Sequence, residues 1–105
     1  MKYHCAFPND SIEKKFYKVL SKISEVKMQE TILKAIETLE ENPRPFGSKS
    51  FKQISPSLEI HQMPAQYRIK IGNYRLLYDV DDTKKVVWLL ALRKRDKKTY
   101  KMLIL

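Results

Sequence analysis

The stretch YRIKIGNYRLLYDVDD, residues 67–82, alternates apolar and polar side chains on either side of a Gly-Asn pair. Successive side chains of a strand point to opposite faces, so Tyr67, Ile69 and Ile71 fall on one side and Arg68 and Lys70 on the other. Gly72-Asn73 is a two-residue hairpin signal, with glycine first as a type II′ turn prefers. Such a turn fixes the register. Ile71 then pairs with Tyr74, Lys70 lies opposite Arg75, Ile69 opposite Leu76, and Arg68 opposite Leu77. The hairpin has an apolar face of Ile69, Ile71, Tyr74 and Leu76, and a cationic face of Arg68, Lys70 and Arg75.

Working outward, Asp81-Asp82-Thr83-Lys84 makes a second turn, and Val86 to Leu92 is an apolar run that suits a strand covered on much of both faces. Residues 96–105 can form a short C-terminal helix carrying Tyr100. On the N-terminal side, Leu58 to Met63 reads as a short strand or as loop, closed by Pro64. Residues 43–58, with Pro43, Pro45, Gly47 and Pro56, read as loop. Upstream lie two helical stripes. One is Ile12, Phe16, Val19, Leu20 and Ile23, entered through Asn9, Asp10 and Ser11, with Glu13 three after Asp10 as in a capping box. The other is Met28, Ile32, Ala35, Ile36 and Leu39, capped by Ser24 and stopped by Asn42, Pro43 and Pro45. The short junction between them predicts an antiparallel hairpin. Lys2 to Phe7, bounded by Pro8, is a short first strand. The order βααβββ, with the optional last helix, predicts an α+β fold in a single domain, 1–105: two helices packed on one face of a twisted, mainly antiparallel sheet.

Charge is distributed unevenly. The chain of 105 residues has a net charge of +9. Residues 1–42 carry seven lysines against seven acids, whereas residues 43–105 carry fourteen Lys and Arg against five acids. An excess confined to one half is an electrostatic footprint for a polyanion, most often a nucleic acid. The single cysteine, Cys5, excludes a disulfide framework and a zinc cluster, and points to a reducing compartment. The first eight residues hold no apolar run of signal-peptide length, and Val86 to Leu92 is too short to span a bilayer. A cytoplasmic protein with no membrane contact is expected.

The facing pair Lys70 and Arg75 is the chemical clue. Like charges directly across a strand pair are unfavourable by roughly 0.2–1 kcal/mol. A sheet gains nothing from that, but a phosphate site does, because the anion relieves the repulsion. Arg93, Lys94 and Arg95 follow the last strand, then Lys97, Lys98 and Lys101. Three adjacent residues cannot all face one way, so one or two of them join the pair. Tyr100 beside these cations suits base stacking or a hydroxyl contact. His4 and His61 read as surface histidines, Asp79, Asp81 and Asp82 as a solvated acidic turn, and Cys5 as a small buried residue. No metal or cofactor is expected.

YRIKIGNYRLLYDVDD (67–82), NPRPFGSKSFK (42–52) and LRKRDKKTY (92–100) together resemble the RelE/ParE toxin superfamily of type II toxin–antitoxin systems, more closely its RelE branch, and the element order matches. The resemblance implies an endoribonuclease that cuts messenger RNA in the ribosomal A site by attack of the RNA 2′-OH, without a metal. It leaves a 2′,3′-cyclic phosphate and a 5′-OH. It implies Lys70 as general base, Arg75 and Arg68 as stabilisers of the phosphorane, Arg95 as stabiliser or acid at the leaving oxygen, and Tyr100 as an orienting or stacking residue. Arg68 departs from the lysine of the RelE form. Arginine is almost always charged and makes a poor base, which moves that role to Lys70. Arg93, Lys94, Lys97, Lys98, Lys49 and Lys52 are expected to bind RNA. A cognate antitoxin, the ribosome and its mRNA are the implied partners, in a toxin–antitoxin hetero-oligomer. The superfamily also leaves open a ParE-like poison of DNA gyrase acting by protein contact, and a module that binds RNA or a partner without turnover.

Overall fold

The computed structural model describes residues 2–95. It contains β1 (His4–Ala6), α1 (Asp10–Ser21), α2 (Val26–Glu41), β2 (Phe51–Ile60), β3 (Met63–Ile71), β4 (Tyr74–Asp81) and β5 (Val86–Lys94). The sheet order is β1-β5-β4-β3-β2; β1 runs parallel to β5 and the other pairs are antiparallel. This is the expected α+β order with one strand more. The expected C-terminal helix, with Tyr100, lies outside the described residues.

Both helices form where the apolar spacing places them. Asn9 caps α1, its side chain accepting from the Ile12 N–H at 2.9 Å. Ser24 does not cap α2; the N-cap is Glu25, without a side-chain bond. One face of the sheet presents Tyr67, Ile71, Leu76, Tyr78, Val80, Val87, Leu89 and Leu92 to Phe16 of α1 and to Ile32 and Leu39 of α2. Gly72 has φ +58, and a Cβ there would lie 2.6 Å from Met28 Cε. The turn therefore needs glycine for its backbone, while the Met28 methyl, at the end of a flexible side chain, could move aside. β1 reaches only Val86 to Trp88 of β5. α1 packs against β5, and along Leu90 to Arg93, the part that β1 leaves uncovered, the two line an open groove of about 440 Å³.

The β2–β3 edge differs from the sequence reading. Residues 51–58 belong to strand β2, not to a loop, and Pro64 lies inside β3 opposite Glu59 rather than ending a strand. The cause is an irregular edge. Between the pairs Gln53–Tyr67 and Leu58–Ala65, residues 54–57 stand against Gln66 alone, so no period-two pattern survives in the sequence. Proline is tolerated at such an edge and near a strand start. The hairpin tip is His61-Gln62, both with positive φ (49 and 70) although neither is glycine or asparagine. Beyond the irregularity the hairpin packs over the second face of the sheet, where Ile54, Ile60, Met63 and Ala65 meet Leu77, Leu90 and Trp88. Its tip reaches α1, with His61 Nε2 at 2.7 Å from Lys15 Nζ.

The segment between α2 and β2 is anchored by Arg44. Its guanidinium donates to both oxygens of Asp82, at 2.9 and 3.1 Å, and its Nε–H donates to the Tyr67 hydroxyl at 2.9 Å. Tyr3 donates to the same Asp82 at 2.6 Å. Asp82 is therefore an anchor rather than a solvated turn residue. The buried Tyr78 hydroxyl donates to the Pro43 carbonyl at 2.7 Å, and the rings of Phe46, Phe51, Tyr67 and Tyr78 follow one another at 5.4–5.8 Å. Cys5 is half-buried, its thiol facing the Ile36 carbonyl at 3.5 Å and pushed up to about 12 by burial and by Glu40.

Arg44 and then Tyr3 hold the Asp82 carboxyl at about 2, against an ordinary 3.8. A depressed carboxylate contributes stability above its unfolded value and loses it as pH falls through the folded one. Asp82→Asn is expected to lower the urea midpoint at neutral pH and to flatten its decline between about pH 4 and about pH 2. Urea titrations of both proteins across that range check it.

Candidate nucleic-acid interface

The β3–β4 register is the one the Gly72-Asn73 turn dictates: Lys70 pairs with Arg75 and Arg68 with Leu77. On one side Lys52 of β2 pairs with Arg68; on the other Arg93 of β5 pairs with Arg75. Directly paired residues share a face. Lys70, Arg75 and Arg93 thus form one row across three strands, with Lys52 and Arg68 in the next.

A bulge in β5 aims the last of these. Leu77 pairs with Ala91, but Tyr78 pairs with Leu89, so Leu90 is an extra residue. Val87 and Leu89 face the helices; without the bulge, strict alternation would put Arg93 there too. The extra residue reverses the phase. Leu92 and Lys94 then face the helix side, Lys94 beside Lys22, Ser24 and Glu25. Arg93 and Arg95 face the cationic side, and the Arg95 N–H continues the ladder to the Asn73 carbonyl at 2.7 Å.

The electrostatics match the crowding. Lys70 is exposed, yet its pKa is lowered from the ordinary 10.5, first by Arg68, then by partial desolvation, Arg75, Arg95 and Lys52. Arg68 is lowered by desolvation and by Arg75. The Nε–H groups of Arg68 and Arg75 are buried without an acceptor. A buried unpaired donor in general costs about 1–3 kcal/mol. Among the described residues the ion pairs are Lys2–Glu41 and Arg44–Asp82, so no carboxylate neutralises this group.

The fold gathers Lys52, Arg68, Lys70, Arg75, Arg93 and Arg95 on one surface. Lys49 is exposed in the turn beside Ser50, whose carbonyl accepts from the Lys70 N–H at 3.0 Å. Lys94 is not brought to the site. Tyr100, Lys97 and Lys98 lie outside the described residues. Sequence reasoning missed the cleft of about 390 Å³ between the irregular part of β2 and this surface, with Ile54, Leu58 and Leu77 beside the cations. The broken ladder in β2 left no periodicity by which to find it. Among the described residues no group of three His, Cys, Asp or Glu side chains could hold a metal ion, and no helix is long and apolar enough to cross a membrane.

A family model described as the ParE toxin of the type II toxin–antitoxin system parDE matches residues 10–99. No curated protein sequence matches the chain. Among solved structures, the chain is similar to the archaeal RelE–RelB complex from Pyrococcus horikoshii OT3, at 23% identity and TM-score 0.70, over 92% of this chain and 99% of that one. It is similar to the intact E. coli RelBE toxin–antitoxin complex at 26% identity and TM-score 0.60, over 90% and 99%. It is also similar to the isolated E. coli RelE toxin at 25% identity and TM-score 0.59, over 97% and 95%.

The lowered pKa of Lys70 means that its charge disfavours the native state at any pH where the side chain is protonated in both states. That penalty lifts as pH rises from the folded value toward 10.5. Lys70→Met is therefore expected to raise the melting temperature at neutral pH, with the gap to wild type closing in alkali. Inorganic sulfate is expected to raise the wild-type midpoint more than that of Lys70→Met. Thermal melts with and without sulfate check both, and a variant that melts below wild type contradicts them.

Proposed function

The chain belongs to the ParE toxin family, within the RelE/ParE superfamily of type II toxin–antitoxin systems, and on that premise we propose that it is an endoribonuclease that cuts messenger RNA on the ribosome. The observation that carries this reading is Lys70 facing Arg75, with its pKa lowered by surrounding arginines and no carboxylate among the described residues to quench them. A surface meant only for protein contact has no need of a lysine crowded by arginines that no carboxylate among the described residues neutralises.

The step balances with groups of the protein and RNA alone. Neutral Lys70 takes the proton of the 2′-OH, whose oxygen forms a bond to the adjacent phosphorus. The bond from phosphorus to the 5′ oxygen breaks, leaving a 2′,3′-cyclic phosphate, and the departing oxygen becomes a 5′-OH. Arg75 and Arg68 donate to the non-bridging oxygens, where charge builds in the phosphorane. Arg95 is assigned the leaving oxygen, which it stabilises or to which it gives the proton that makes the 5′-OH. Lys52 and Arg93 hold neighbouring phosphates, so the free energy of backbone binding positions the reacting one.

RelE of P. horikoshii and of E. coli is found in complexes with RelB. By that likeness this chain acts with a cognate antitoxin in a hetero-oligomer, and an acidic segment that orders on binding would suit the cationic surface. An activity on ribosomes would put it in the cytoplasm. A second reading is favoured by the family model itself, which is that of the ParE toxin: a gyrase-directed toxin working by protein contact.

Cleavage of mRNA on programmed ribosomes separates the two. Lys70→Ala and Arg75→Ala are each expected to slow cutting by about 10²–10⁴-fold. The wild-type rate is expected to rise with pH until Lys70 is neutral and to level off below 10.5. Unchanged cutting by both variants would end this mechanism. Gyrase-linked DNA cleavage without mRNA loss would favour the second reading.

A further inference from the structure

We infer that the outer face of α2 is a self-association surface, on which a second copy of this chain docks with its own α2 antiparallel, about a two-fold axis at the level of Ile32. The inference does not depend on the ribonuclease reading, because α2 covers the face of the sheet opposite to Lys70 and Arg75.

Helix α2 buries Ile32 and Leu39 against the sheet and leaves two apolar side chains outside. Val26 is 65% exposed and Leu33 47%. Val26, Glu30, Leu33 and Glu37 follow one another at steps of four, three and four residues, the spacing of a seam along which two helices meet. With 3.6 residues per turn they fall within an arc of about 60°, and Lys27 and Lys34 border that arc on one side. All six side chains are exposed. Glu30 stands four residues before Lys34, the order that suits an ion pair within one helix. The helix does not use it: among the described residues the ion pairs are Lys2–Glu41 and Arg44–Asp82. Lys27, Glu30, Lys34 and Glu37 are left for a partner outside the chain.

The order of the charges identifies that partner. Lys27 lies five residues before Ile32 and Glu37 five after; Glu30 lies two before and Lys34 two after. In an antiparallel pair with its axis at Ile32, Lys27 stands level with the second copy's Glu37, and Glu30 with its Lys34. Symmetry repeats both contacts, giving four ion pairs. The axis brings the same flank of each helix together, so the lysines beside the seam reach the glutamates within it. Leu33 and its copy lie about 3 Å apart along the helices and cover one another. A parallel pair would set Lys27 against Lys27 and Glu30 against Glu30. A slip of about one turn would centre the axis on Lys34 or on Glu30 and oppose that charge to its own copy. α1 has no such pattern, since it exposes Lys14, Lys15 and Lys18. The net charge of the whole chain is +9, but residues 1–42 balance seven lysines with seven acids, so the helix side is where two copies approach with least repulsion. One helix per copy is less surface than the roughly 1,200–2,000 Å² of a standard interface, so the dimer is weak, dissociating between about 1 µM and about 1 mM. Both cationic faces are left open to the outside.

The test is sedimentation equilibrium of the full chain up to about 1 mM, with Glu30→Lys, Lys34→Glu and the double swap carrying both. Far-UV circular dichroism confirms that each variant is folded, as expected for exposed positions. Either single swap turns two of the four attractions into repulsions and is expected to weaken the dimer about tenfold. The double swap is expected to restore it. An equimolar mixture of the two single variants is expected to associate at least as tightly as wild type, because every swapped charge then faces an opposite one. Net charge alone cannot mimic this, since Glu30→Lys raises it by two and Lys34→Glu lowers it by two, which would move the two variants in opposite directions. A wild-type chain that stays monomeric throughout, single swaps that shift association in opposite directions, or a mixture no tighter than its components each overturn the proposal. A monomeric chain whose swaps instead weaken binding to a cognate antitoxin assigns the face to that partner and overturns it too.

Discussion

Lys70 and Arg75 face each other across β3 and β4, and the two-residue turn at Gly72-Asn73 denies them any slip in register. On either side the sheet adds further cations rather than acids: Arg93 opposite Arg75, and Lys52 opposite Arg68. Repulsion between like charges at this spacing works against folding, and the ladder together with the apolar face beneath must outweigh it. The helices supply that weight through Phe16, Ile32 and Leu39 against Tyr67, Ile71, Leu76 and Tyr78. The cationic face is thus rigid because of what lies on the other side of the same strands. On the proposed reading, an incoming phosphate would find its donors already placed, with little ordering left to do on binding.

The remaining parts serve that arrangement from a distance. The extra residue Leu90 turns Arg93 and Arg95 toward Lys70 and sends Lys94 to the helix side. Arg44 ties the segment after α2 to Asp82 and Tyr67 and so fixes where β2 begins. The break in β2 opens a cleft next to the cations, and the contact of His61 with Lys15 ties the far end of that hairpin to α1. These are local departures from regular strand geometry, placed around a hairpin that has none between Tyr67 and Tyr78.

The central hairpin was fully legible, since alternation and a Gly-Asn turn are short-range signals that determine both register and face. The two helices were legible for the same reason, through apolar spacing. What escaped the reading depends on contacts distant in sequence. The parallel pairing of β1 with Val86–Trp88 joins residues about eighty positions apart. The strand Phe51–Ile60 lacks alternation because its middle is out of the ladder, and its turn uses His61 and Gln62 where glycine or asparagine would have announced it. Asp82 looked like a solvated turn residue because its partners, Arg44 and Tyr3, are remote. In the site, Arg68, Lys70 and Arg75 followed from the turn alone. The choice of Arg93 and Arg95 over Lys94 hung on a bulge inside an apolar run that carries no glycine to mark it.

Crowding of fixed cations around one lysine is the physical claim on which the proposed chemistry depends, and it can be measured without substrate. Titration of the Lys70 side chain, followed through its Cε and Nζ resonances by NMR, reads the effect at the atom concerned. The account predicts a midpoint below the ordinary 10.5 that moves back toward it when Arg68 or Arg75 is replaced by glutamine. A midpoint at the ordinary value, unmoved by either replacement, would contradict it.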